Sequence, residues 1–99
     1  MAKCVVLHSL SKYSVVHEPV LRELLTGKPD LFAVTGVDCQ AWEDAMDWLC
    51  VDLDVSNALP GAFCNTTSHP GEALPDVVAF AEQWCSLNGW PVDVRVVEI

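Results

Sequence analysis

Between Lys28 and Arg95 the sequence contains no lysine or arginine. Asp30, Asp38, Glu43, Asp44, Asp47, Asp52, Asp54, Glu72, Asp76, Glu82 and Asp93 all fall inside that interval. Over the whole chain 5 basic residues stand against 14 acidic ones, a formal net charge of −9. Such a surface repels phosphate backbones, which argues against nucleic acid as a partner. The charge is compatible with a basic protein partner; the bland alternative is that acidity simply keeps a hydrophobic small protein in solution.

Long apolar runs are absent too. No stretch approaches the roughly 18 residues that a bilayer-spanning helix needs. The start, "MAKCVVLHSLSKYS", is broken by His8 and Lys12 before it can form the core of an export signal. A cytoplasmic protein without a membrane partner is therefore expected. Disulfide spacing is missing as well. The five cysteines, Cys4, Cys39, Cys50, Cys64 and Cys85, are odd in number and include no C-x-x-C. Reduced thiols are expected, with all but Cys39 lying in apolar strand or helix patterns. Paired metal-ligand spacings are lacking, so neither a metal nor another cofactor is expected.

What remains is apolar. Hydrophobic residues make up 52% of the 99, enough for one domain over 1–99 with a packed core. "CVVLHSL" (4–10), "DLFAVTG" (30–36), "AFCNTTS" (62–68) and "PVDVRVVEI" (91–99) read as strands. "VLRELL" follows Pro19 as a short helix. "DCQAWEDAMDWLCVDLDV" (38–55) carries Trp42, Ala45, Met46, Leu49, Cys50 and Leu53 on one helical face. Asp38 stands where an N-cap belongs. "ALPDVVAFAEQWCSLNG" (73–89) is a third helix. The β-α-β-α-β-α-β order predicts a three-layer α/β sandwich around a four-stranded, mainly parallel sheet. Asp93 and Arg95 on one side of the last strand suggest an edge strand or one with a face open to water.

In such sheets ligands gather at the carboxyl ends of the strands. That rule makes neighbours of Ser9, Thr35, Asp38, Thr66 and Thr67, a candidate ligand-binding set, and of Cys39, His69 and Glu72, a candidate catalytic set. Cys39 in a helix's first turn gains thiolate stability from the dipole, His69 would be its base, and Glu72 or Asp38 would orient the imidazole. The bland alternative is that Thr66, Thr67, Ser68 and Glu72 only satisfy main-chain groups at a strand end. A different site is suggested by Trp48, off the apolar stripe of its helix, and by Phe80, Trp84 and Leu87, which widen the apolar arc of theirs. Together they fit a protein interface, most simply a homodimer.

"DCQAWEDAMDW" (38–48) and "TTSHPGEALPDVVAFAEQW" (66–84) resemble segments of a family of small uncharacterised bacterial proteins. Its pattern runs D-C-x-x-W-x-D-x-x-D, then T-T-x-H-x-x-E-x-L. The resemblance implies an α/β domain and marks Asp38, Cys39, Trp42, His69 and Glu72. Ser68 stands where that pattern often has tryptophan. A small acidic reading frame of this type also suits a mobile gene cassette. The expected function is a non-enzymatic interaction module, immunity- or regulator-like and homodimeric. Its rival is a small Cys/His-dependent hydrolase or ligand-binding protein.

Overall fold

The computed structural model describes residues 2–99. Four strands, β1 (Cys4–Ser9), β2 (Leu31–Gly36), β3 (Asn65–Ser68) and β4 (Val94–Glu98), alternate with three helices, α1 (Glu18–Thr26), α2 (Cys39–Val55) and α3 (Leu74–Leu87). All neighbouring strands pair in parallel, in the order β3-β2-β1-β4. The fold is a three-layer α/β sandwich in the expected β-α-β-α-β-α-β order.

The strand order explains where the helices lie. From β1 to β2 to β3 the chain steps in one direction, and right-handed crossovers then place α1 and α2 on a single face. Val5, Leu7, Phe32 and Val34 pack there with Leu21, Leu25, Trp42, Met46 and Leu49. The step from β3 to β4 runs the opposite way, so α3 covers the other face. Val6, Leu31 and Ala33 pack there with Val77, Ala81 and Cys85. The inner strands β1 and β2 are covered on both faces, hence their unbroken apolar runs. The last strand is an edge strand, the first of the two placements that the polar side of Asp93 and Arg95 suggests. Its Val97 and the following Ile99 reach the α1 face and Val94 the α3 face.

Gly36 ends β2 where the first two strands are pressed together. Its φ is +100°, and a Cβ there would lie 2.2 Å from the Ser9 carbonyl oxygen. Only glycine fits both conditions.

Two local expectations are corrected. Strand β3 starts at Asn65 rather than at 62, so Ala62, Phe63 and Cys64 end the preceding loop. Asp38 holds the N-cap position of α2 but makes no side-chain cap bond. Its φ is 56°, and its carboxylate accepts the main-chain N–H of Tyr13 at 3.1 Å. The link after β1 contains a 3-10 turn, Val15–His17. Tyr13 and His17 close over the fully buried Trp42, with ring centroids 5.2 and 4.7 Å from its own. The indole N–H donates to Ser11 O at 3.0 Å.

Candidate functional site

The loop after β3 is pinned to the end of β2. His69 N donates to Val34 O at 2.8 Å, and the buried Thr35 hydroxyl donates to Glu72 O at 2.6 Å. These bonds turn His69 back along the α3 face, against Phe80, with ring centroids 4.8 Å apart. Its Nδ1 lies 2.8 Å from Glu72 Oε2 and its Nε2 2.8 Å from Thr67 Oγ1. An ionised carboxylate only accepts, so Nδ1 carries the proton, and in the neutral ring Nε2 accepts from the Thr67 hydroxyl. The result is a hydroxyl–imidazole–carboxylate chain.

The rest of the run is also satisfied. Asn65 donates to Asp30 O at 3.1 Å, Thr66 lies 3.1 Å from carboxylate oxygens of Glu43 and Asp47, and Ser68 donates to Gln40 at 2.9 Å. Every polar side chain from Asn65 to His69 and at Glu72 has a partner inside the chain.

Cys39 does not join them. It is buried at the start of α2 in the α1/α2 cluster with Trp42, whereas His69 packs with Phe80 on the α3 side of the sheet. Asp38 is committed to Tyr13, and Ser9 is buried with its hydroxyl on Ser11 O at 2.6 Å. The strand-end set therefore divides between two layers. Among the described residues no group of three or more His, Cys, Asp or Glu side chains is placed to hold a metal ion.

The aromatic set divides too. Phe80 and Trp84 are half-buried on α3, and the Trp84 indole donates to Asp30 Oδ2 at 2.8 Å. Leu87 is exposed on α3, on the opposite outer layer from Trp48. Trp48 itself is 73% exposed, and it has company that sequence reading did not supply: Phe63, 70% exposed, with Val51 and Val55. Trp48, Val51 and Phe63 wall a groove of about 560 Å³ between α2 and the end of the 56–64 loop. Cys50, Ala62 and Cys64 line it as well, and Asp44, Asp47 and Asp54 supply its charge. A second depression of about 380 Å³, with Glu18 and Asp52, lies on the other side of Trp48. The indole is thus a ridge between two hollows. Lys28 lines a smaller hollow of about 130 Å³ beyond Phe63.

Part of this was visible in the helix. Trp48, Val51 and Val55 are spaced i, i+3, i+7, a second apolar stripe on α2 that faces away from the sheet. Phe63 was hidden because 62–68 read as one strand, with Phe63 assigned to the sheet. Burial pushes the thiols of Cys50 and Cys64 up. A hydrogen bond from Cys64 offsets part of this for Cys50, and the charge of Asp47 raises both.

A family model, Domain of unknown function (DUF7684), matches residues 1–97. The chain belongs to that family. No curated protein and no solved structure matches this DUF7684 member. Among the described residues no helix is long and apolar enough to cross a membrane.

Proposed function

We propose that this DUF7684 member is a protein-interaction module. Its groove beside Trp48 takes an apolar side chain from a basic segment of a partner. The observation that carries this reading is the pairing of two large aromatics, exposed at 73% and 70%, with three carboxylates around one groove. Large aromatics left in water at a concave surface are the usual anchors of protein interfaces. The carboxylates would steer a cationic partner and set the salt dependence of its association rate. An immunity- or regulator-like role in a bacterial cell is one concrete form.

A second copy of the chain suits this groove less well. A two-fold contact through Trp48 would set Asp44, Asp47 and Asp54 against their own copies. Self-association would use another surface, such as the exposed Leu87 on α3. The test is binding of a helical Lys/Leu peptide against ionic strength. Making Asp44, Asp47 and Asp54 amides should slow association and flatten its salt dependence. Unchanged kinetics would end the steering role.

A hydrolase is the second reading, and it passes from Cys39 to Thr67. Thr67 Oγ1 would attack an acyl carbon while His69 Nε2 takes its proton and Glu72 holds the imidazole. A fluorophosphonate probe should then label Thr67, and Thr67→Ala should abolish labelling. An unlabelled wild-type protein ends this reading.

A further inference from the structure

Four of the five cysteines stand in two pairs, one pair in each packing layer. Cys4 Sγ is 3.4 Å from Cys85 Sγ, and Cys50 Sγ is 3.8 Å from Cys64 Sγ. All are free thiols. The first pair is sealed: Cys4 lies in the inner strand β1, Cys85 on the inner face of α3, and both have no exposed surface. Their thiols are held in place by other groups, Cys4 against Ala81 O and Cys85 against Asp93 O.

The second pair differs in two respects. Cys50 and Cys64 both line the groove and keep 6% and 3% of their surface exposed, whereas the first pair keeps none. Cys64 also closes a loop rather than lying in a strand, directly before β3. A disulfide needs the sulfurs at about 2.05 Å. Bonding would require the side chains to rotate and the loop end to adjust.

We propose that Cys50 and Cys64 form a modification site, a reversible disulfide made by hydrogen peroxide in the floor of the groove. Cys50 is the attacking sulfur, because it is the more exposed of the two. On losing its proton the Cys50 sulfur displaces hydroxide from peroxide and becomes a sulfenic acid, and the hydroxide takes up that proton as water. The Cys64 sulfur then attacks the sulfenic sulfur, forming the S–S bond and releasing a second water. Two thiols are oxidised by two electrons and one peroxide is reduced to two waters. The site stands whether or not the groove binds a partner.

The test uses the native full chain. It is exposed to hydrogen peroxide, quenched with N-ethylmaleimide and digested without reductant. Trypsin is unsuited, since no Lys or Arg lies between Lys28 and Arg95. A protease that cleaves at Asp and Glu separates Cys50 from Cys64 at Asp52 and Asp54. The expected result is a Cys50–Cys64 linked peptide that dithiothreitol removes, while Cys4 and Cys85 are recovered as thiols. In Cys64→Ala the sulfenic acid on Cys50 has no partner and should be trapped by dimedone. Three results would overturn the proposal: no linked peptide, a Cys4–Cys85 link formed equally fast, or links only between chains.

Discussion

Trp48 and Phe63 face one groove from two separate elements, one from the middle of α2 and one from the loop before β3. Neither contributes to the packed core, whereas Trp42, six residues before Trp48 on the same helix, is fully buried. Stability should separate the three residues. Trp42→Ala should cost about 3–5 kcal/mol, the range for emptying a large aromatic site. Trp48→Ala and Phe63→Ala should each stay within about 0.5 kcal/mol of wild type, as exposed substitutions do. Urea unfolding gives all three values. A large loss at Trp48 would mean that it serves the fold rather than a surface.

Cys39 and His69 make a second, independent test. With the sheet between them, His69→Ala should leave the alkylation rate of Cys39 unchanged across pH. Cys39 should also react no faster than the other buried thiols. Site-resolved mass spectrometry of native alkylation reads both. A Cys39 rate that falls in His69→Ala would place the two groups in one site.

Gly36→Ala should be among the most damaging single substitutions. The added Cβ would meet the Ser9 carbonyl at 2.2 Å in a left-handed backbone. The two faults together should cost about 3 kcal/mol or more. A variant with a wild-type urea midpoint would contradict the close approach of β1 and β2.

Alkaline pH should weaken the fold. Burial pushes the thiol of Cys4 up to about 12, with Cys85 beside it adding, and it raises those of Cys50 and Cys64. In the folded chain these thiols stay protonated where the unfolded chain's thiols ionise, near 8.5. Their contribution is complete below that value and is lost as pH rises towards the folded pKa values. Each thiol removes up to about 1.4 kcal/mol per pH unit in that window. Urea midpoints should therefore be flat from pH 7 to 8 and fall from pH 9 upward. A constant midpoint to pH 11 would contradict the burial of the thiols.

The layer order was legible because period and alternation are local signals. The stripe of Trp42, Met46, Leu49 and Leu53 marks α2, and the unbroken run Leu31–Val34 marks an inner strand. Strand order was not legible, since several orders satisfy the same alternation. Without it the face on which each side chain lies was also hidden. His69 and Cys39 both follow strand ends, and only the position of α2 and α3 on opposite faces separates them. The partners of the 65–72 run were equally out of reach. Ser68 meets Gln40 and Thr66 meets Glu43 and Asp47 across more than 15 residues of chain.

The measurement that tests the central claim most directly is an amide and indole chemical-shift map. The isotope-labelled chain would be titrated with a helical Lys/Leu peptide and, separately, with its Glu/Leu counterpart. The account predicts that the basic peptide shifts the Trp48 indole, Val51 and Phe63 while leaving Leu87 unmoved. It further predicts that the acidic peptide does nothing and that Trp48→Ala weakens binding at least about tenfold, as for an interface anchor. Shifts spread over the acidic residues of α2 and α3 alike, with Trp48→Ala binding as well as wild type, would contradict it.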